Sequence, residues 1–406
     1  MLKLALETLL WTGIFTVWYA YLGYGILLFL LIKIKRLFFR KKSLPTPPEV
    51  SGQATEWPDV TFTVCAFNEA DWMRKKIENC LKFDYPPEKI TFFFVTDGSS
   101  DATPEVVQNF PFPENVRWKL LHRPERMGKI AAFDRSMAFV ETPIVISTDA
   151  NTVVNPQAIK MMVRHFGDKN VGAVAGEKRI SLNEKDAASG AGEGIYWKYE
   201  SLLKKWDSEL WSVVGAAGEL FAIRTDLYEA VPKDSIIEDF YLTMRIAQRG
   251  FRVIYEPGAA ASEGYSENVK EELKRKIRIA AGGLQSISRL TPLLNPFKYG
   301  VLSFQYISHR VLRWTLAPAF LPIIFLANAV LALLKTGLFY KILLAAQAVF
   351  YLAAAAGWLL EKRELKVKAL FVPYYFCVMN YAVYAGFGRF WKGSQSVLWE
   401  RSERKK

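Results

Sequence analysis

The chain has 406 residues, 51% of them apolar, and a formal net charge of +13. That length holds about two domains. The charge clusters beside apolar runs, at Lys33, Lys35, Arg36, Arg40, Lys41 and Lys42 and again at Arg401, Arg404, Lys405 and Lys406, which points to lipid and phosphate groups as partners and, without zinc-finger spacing or a basic–aromatic repeat, away from nucleic acid.

Three cysteines (Cys65, Cys80, Cys377) form neither a CxxC motif nor an even framework, and three histidines (His122, His165, His309) are scattered. A reduced cytosolic setting without a His/Cys metal centre is expected. Thr8 to Ile32 carries no charged residue and exceeds the roughly 20 residues that span a bilayer. Its basic cluster follows the run, whereas a secretory signal carries one before it. The positive-inside rule then places the N-terminus outside and residue 33 onward inside. Residues 1–42 are therefore read as a transmembrane helix with its basic flank, and 43–58, rich in Pro, Ser and Thr, as a linker.

Between 59 and 295 short apolar runs alternate with helical spacing. Strands are predicted at Val60–Ala66, Ile90–Thr96, Pro143–Ser147, Val171–Ala175 and Arg252–Tyr255. Helices are predicted at Asp71–Lys82, near Pro156–Phe166, at Glu193–Glu209 and at Glu238–Arg249. Such alternation implies an α/β domain with a mostly parallel sheet covered on both faces. Phe297, Val301, Phe304, Ile307, Val311 and Trp314 recur at helical spacing with His309, Arg310 and Arg313 between them, so 296–313 is read as an amphipathic helix at the membrane interface. Trp314–Leu334 and Ile342–Leu360 predict a hydrophobic hairpin within a membrane region over 314–392. Ala369–Gly388 is a further candidate that either spans or lies re-entrant or interfacial, and 393–406 is a basic tail.

Ligands of such sheets bind at the carboxyl ends of the strands. The first strand ends in Ala66-Phe67-Asn68-Glu69, the second in Val95-Thr96-Asp97-Gly98-Ser99-Ser100-Asp101, and the third in Ser147-Thr148-Asp149-Ala150-Asn151. Singly each acidic residue reads as a turn or cap, but three successive strand ends bring carboxylates to one rim. Asp149 is suited to a hard cation, Mg²⁺ or Mn²⁺, beside a diphosphate. Asp97 is placed to accept hydrogen bonds from a base or ribose. Lys129 is either a phosphate contact or a solvated lysine.

The runs TVCAFNEA, VTDGSSDAT, RMGK, STDAN and IIEDF resemble family 2 glycosyltransferases, over roughly residues 57–290. The resemblance implies a GT-A-like nucleotide-sugar-binding domain, here inserted between transmembrane helices. It places Phe67, Asn68, Glu69, Asp97 and Lys129 on the donor, Asp149 and Asn151 on the metal, and Asp239 as catalytic base beside Glu238. By its residues alone Asp239 is a helix N-cap. The membrane layout looks like the branch of cellulose, hyaluronan and poly-N-acetylglucosamine synthases. Two motifs depart from that branch. The Asp-x-Asp metal motif is Asp149-Ala150-Asn151, and Arg275-Lys276-Ile277-Arg278 replaces Gln-x-x-Arg-Trp. Arg275 and Arg278 either grip the diphosphate or form a basic face near lipid, and the missing Trp bears on processive synthesis. The small residues around Gly218 and Glu219 mark the acceptor region. Trp197, Tyr199, Trp206 and Trp211 are sugar platforms or core and interface anchors.

Three functions follow. The leading one is inverting transfer from a nucleotide sugar, UDP-linked, to a saccharide in cell-surface polysaccharide synthesis, by a multi-pass inner-membrane protein with its catalytic domain in the cytoplasm. The others are transfer of one sugar to a lipid carrier and non-catalytic sensing of nucleotide sugar.

Overall fold

The computed structural model describes residues 1–38, 57–181, 190–264, 269–334, 337–363 and 367–398. Arg40, Lys41 and Lys42, most of the linker, and the tail from 399 onward lie outside the described residues.

The first helix runs from Leu2 to Phe38, as α1 (Leu2–Trp18), a π-helical turn at Tyr19–Gly23, and α2 (Tyr24–Phe38). The α/β domain follows. It comprises β1 (Val60–Ala66), α3 (Ala70–Cys80), β2 (Ile90–Asp97), α4 (Thr103–Gln108), β3 (Arg117–Arg123), α5 (Lys129–Met137), β4 (Ile144–Asp149), β5 (Val153–Val154) and α6 (Ala158–Val163). It continues through β6 (Val171–Ser181), α7 (Gly190–Leu210), β7 (Leu220–Arg224), α8 (Glu238–Gln248), β8 (Arg252–Gly264) and α9 (Val269–Arg289). The eight strands form one sheet in the order β3-β2-β1-β4-β7-β6-β8-β5. β1 pairs in parallel with β2 and β4, β2 with β3, and β6 with β8, so the sheet is mostly parallel.

Alternate residues of each central strand enter different cores. Phe62, Val64, Phe94 and Ile146 face one side, and Cys65, Phe93, Val95 and Val145 face the other. With helices over both faces, every position is buried, which is why these strands read as continuous apolar runs. The sequence reading missed β3 and β7. β3 is an edge strand, charged and half exposed. β7 is only five residues long and runs antiparallel between β4 and β6. β8 extends nine residues beyond the predicted end at Tyr255, because Pro257-Gly258 lies in a bulge against β6 and does not end the strand.

The segment expected as one interfacial helix is broken into α10 (Pro296–Tyr299), α11 (Val301–Tyr306), a π turn at Ile307–Val311 and α12 (Leu312–Trp314). Lys298 is exposed, but from Ser303 to His309 the polar residues face protein. Gln305 Nε2 donates to Asp207 Oδ1 (3.1 Å), and His309, fully buried, lies between Asp207 (2.5 Å) and Glu200 (3.2 Å). Helical periodicity fixed the apolar stripe but not the buried acidic partners on α7 that accept the other face.

Three further helices close the chain: α13 (Leu316–Leu333), α14 (Leu338–Lys362) and α15 (Lys368–Trp391). With Leu2–Phe38 they make, among the described residues, four helices long and apolar enough to cross a membrane. α13 packs along α1, where Leu10 meets Ile324, Ala327 and Leu331. α15 is a single helix, not a reversal, and it lies along α9. Phe371, Tyr374 and Tyr375 pack with Val269. Gly386 is so close to α9 that a Cβ there would stand 2.7 Å from that of Ala280. Beyond α15 the chain returns to the loop before α5, where a Cβ on Gly128 would lie 3.4 Å from the Val397 carbonyl oxygen.

Candidate active site

The carboxyl ends of β1 and β2 are laced together by their loops. Asn68 takes a left-handed φ of 52°, a conformation that asparagine tolerates. Its Oδ1 accepts from the Ser100 N–H (2.8 Å) and its Nδ2 donates to Ser100 Oγ (3.2 Å). Asp101 accepts from the N–H groups of Ala70 and Thr103. Asn68 is therefore committed to loop shape and, unlike Phe67 and Glu69, does not line the main cavity.

Asp97 opens instead onto a small cleft with Phe67, Arg126, Gly128 and Lys129. Its Oδ2 accepts from the N–H groups of Met127 (2.9 Å) and Gly128 (2.6 Å), while Oδ1, buried and outside hydrogen-bond reach of the described residues, faces the Arg135 guanidinium at 3.6 Å. That ion pair is too long for a good hydrogen bond, so Oδ1 keeps capacity to accept from a ligand N–H or O–H. The Arg126 guanidinium stacks on Phe67, 3.7 Å from the ring centroid, and forms the adjoining wall. Arg126 was legible only as part of the RMGK run.

Lys129 stands at the centre. Its Nζ lies 2.6 Å from Asp149 Oδ1, 3.6 Å from Glu238 Oε1 and 3.2 Å from the Gly218 carbonyl oxygen. It is buried, not a solvated lysine. Burial alone would lower its pKa, but Asp149, Glu238 and Asp239 override this and hold it above the usual lysine range. Glu238 and Asp239 occupy the first turn of α8, where Ile237 and not Asp239 is the N-cap. Burial, then the neighbouring Glu238, raise the Asp239 carboxyl to about 7 against the opposing pull of Lys129. A Cβ on Gly218 would come within 2.6 Å of Lys129 Nζ and 3.3 Å of Asp239 Oδ2, so this acceptor-region glycine leaves room for the charged centre itself.

Lys76 is a residue that sequence reasoning missed. It projects from α3 beneath the Asp149 loop and donates to the Thr152 carbonyl oxygen (2.9 Å) and to Thr148 Oγ1 (3.2 Å). Burial lowers its pKa to about 8. In the sequence it reads as one more lysine on an amphipathic helix.

Glu219 is tied to Lys178, which also bridges Glu263. Burial would raise the Glu219 pKa, but the Lys178 ammonium holds it well below the usual carboxylate range. Arg275 is held by Glu272 (2.8 Å) and Glu263 (3.6 Å), and Arg278 donates to the Ile236 carbonyl oxygen (3.1 Å). Both arginines face the cavity but are already paired there, which the bare spacing did not show. Replacing Lys178, 1% exposed, by Met should take the ammonium away from Glu219 and leave buried Glu263 to the more distant Arg275 (3.6 Å). The expected cost is about 3–5 kcal/mol, read as a lowered midpoint of thermal unfolding in detergent; an unchanged midpoint would show that Lys178 does not neutralise them.

The main cavity has a volume of about 1110 Å³ and brings together Phe67, Glu69, Asp149, Asn151, Gly218, Glu219, Glu238, Asp239, Arg275 and Arg278. Trp197 and Tyr199 also line it, whereas Trp206 packs on Phe29 of the first helix. Among the described residues no group of three or more His, Cys, Asp or Glu side chains forms a metal cluster. Mg²⁺ commonly takes one or two protein carboxylates and completes its shell with phosphate and water oxygens. Asp149, 24% exposed at the cavity wall, with the Asn151 amide fits that donor set.

A family model described as "Glycosyltransferase like family 2" matches residues 58–282. The chain is 28% identical over 254 residues to the poly-beta-1,6-N-acetyl-D-glucosamine synthase of Staphylococcus aureus strain MSSA476, covering 61% of this chain and 59% of that enzyme. It is 24% identical over 261 residues to the synthase of the same description from Staphylococcus epidermidis, covering 62% and 61%. The matched part thus spans about three-fifths of these relatives' length. In structure the chain is similar to a mannosyltransferase from Pyrobaculum calidifontis in complex with GDP-Man and Mn²⁺, with a TM-score of 0.69, 22% identity, and coverage of 96% of this chain and 99% of that one. At that identity the likeness is one of fold.

Proposed function

The chain belongs to the glycosyltransferase-like family 2, and from that premise we propose that it transfers a sugar from a nucleotide sugar to a saccharide acceptor, with inversion at the anomeric carbon. The observation that carries the reading is the convergence of Asp149, Lys129, Glu238 and Asp239 in one cavity beside the Asp97 cleft. Asp97 accepts from the base or ribose of the donor, which the resemblance to the synthases suggests is UDP-linked. Asp239 takes the proton of the attacking hydroxyl as general base. Lys129 keeps Asp149 and Glu238 in place around it. A divalent cation, Mg²⁺ or Mn²⁺, would be held by Asp149 and Asn151 and would neutralise the departing diphosphate. The named activity of the staphylococcal relatives favours polysaccharide synthesis. The test is incubation of the purified protein with a panel of nucleotide sugars, followed by sizing of any product. Release of sugar from none of them would favour the sensor reading.

The basic flank after the first helix supports a cytoplasmic catalytic domain on the cell (inner) membrane. α15 packs on α9 at both ends as well as on α14, and the chain after it reaches Gly128, which supports a reading with α15 on the catalytic side and three crossings. A cysteine introduced at Ser394 is expected to resist a membrane-impermeant thiol reagent in intact cells and to react once the membrane is opened. Labelling from outside would mean four crossings.

A further inference from the structure

The main cavity does not end at the carboxylates. From Asp149 and Asp239 it continues past Arg310 and Arg313 to Tyr21 and Leu22 of the first helix and to Val372, Phe376 and Met379 of α15. Its far wall is therefore built by helices that are apolar enough to lie in a bilayer. At the boundary between the polar and apolar ends stands Arg313. Its side chain is 10% exposed. Nε donates to the Ala20 carbonyl oxygen (2.9 Å) and Nη1 to Glu200 (3.3 Å), but Nη2 is buried without a hydrogen-bond partner among the described residues. A guanidinium with an unused donor at the mouth of an apolar arm suits an anionic headgroup.

Two occupants suit a cavity that joins a sugar-transfer centre to a membrane: a saccharide chain passing through the bilayer, or an amphiphile anchored in it. The first needs a polar route between the crossing helices. The described residues of α1, α13 and α14 pack without one. Leu10, Ile324, Ala327 and Leu331 fill the seam between α1 and α13. A Cβ on Gly13 would stand only 2.8 Å from Ile324 Cγ1. On the other side of α13, Phe325 meets Tyr351 edge to face; one polar pair lies here, Asn328 Nδ2 donating to Gln347 Oε1 (2.8 Å) with Asn328 Oδ1 buried and without a hydrogen-bond partner among the described residues, and it does not extend into a polar row. The amphiphile is the occupant that this bundle admits.

We infer that the acceptor is a saccharide carried on a long-chain lipid phosphate, with its chain in the Leu22–Val372–Phe376–Met379 arm and its phosphate at Arg313. The inference rests on the transferase reading and on Asp239 as base. A general base serves a neutral hydroxyl nucleophile, whereas a phosphate oxygen is already anionic, so the nucleophile is a sugar hydroxyl and not the lipid phosphate itself. That hydroxyl oxygen bonds to the anomeric carbon. The bond from that carbon to the diphosphate oxygen breaks, its electron pair leaves with the nucleoside diphosphate, and the hydroxyl proton passes to Asp239.

The test uses the full chain in detergent with a radiolabelled nucleotide sugar that it consumes. A farnesyl diphosphate-linked monosaccharide and a free oligosaccharide of the same sugar are offered separately. Label should enter the lipid-linked product with a preference of about tenfold or more. Met379→Trp, which fills the arm, should raise the KM for the lipid-linked acceptor about tenfold, with donor binding measured on the same sample to show that the variant is folded. Equal use of the free oligosaccharide, or an unchanged acceptor KM in Met379→Trp, would overturn this inference alone. No consumption of any nucleotide sugar would overturn the transferase reading and this inference with it.

Discussion

Asp239→Asn is expected to lower sugar transfer by about 10²–10⁴-fold, the usual contribution of a general base, while leaving nucleotide-sugar binding nearly intact. The amide keeps the shape of the carboxylate at the first turn of α8 but cannot take a proton. The parent enzyme should also show an acid limb in its pH–rate profile. Burial and Glu238 raise the Asp239 carboxyl to about 7. A base must be deprotonated to act, so turnover should fall as pH drops below that value and level off above it. The residual activity of Asp239→Asn should lack this limb, because the group that titrates is gone. Nucleotide release measured against pH checks the rate, and calorimetric titration with the donor checks binding. Full turnover by the variant would remove Asp239 from the role.

How far the site could be read in advance depended on the range of the interactions. The loops after β1, β2 and β4 were legible because strands buried on both faces make apolar runs, and the polar residues that follow them mark the ligand-binding edge. Pairings between distant segments were not legible. Lys129 and Asp149 lie 20 positions apart, and Lys178 and Glu219 lie 41 apart. No local pattern in the sequence says that each ammonium will be buried against its carboxylate. The same holds for Lys76 under the Asp149 loop and for His309 between Asp207 and Glu200. α15 shows a different shortfall. Its apolar length was visible, but length alone does not separate a helix crossing lipid from one lying against α9, since both environments accept an apolar face.

Removing divalent cations with a chelator is expected to abolish transfer, with activity restored by Mg²⁺ or Mn²⁺. The reason is the charge around the diphosphate site. Lys129 is the ammonium at the centre, and it is shared by Asp149 and Glu238 with Asp239 beside them. The nearby guanidinium of Arg275 is held by Glu272 and Glu263, and that of Arg278 is turned to the Ile236 carbonyl oxygen. At the centre of the cavity a diphosphate meets Asp149, Glu238 and Asp239 gathered around the Lys129 ammonium, and repulsion there would oppose both binding and departure of the leaving group. A divalent cation on Asp149 reverses the local sign. Such Lewis-acid stabilisation is worth several kcal/mol, so a loss of about 10²-fold or more is expected in chelator. Asp149→Ala should lose activity to a similar extent and should not recover at any Mn²⁺ concentration, whereas the parent should titrate to a plateau. Full activity in excess chelator would exclude the cation and would require Arg275 and Arg278 to leave their present partners for the diphosphate, in which case replacing Glu272 by Gln should speed turnover by freeing Arg275.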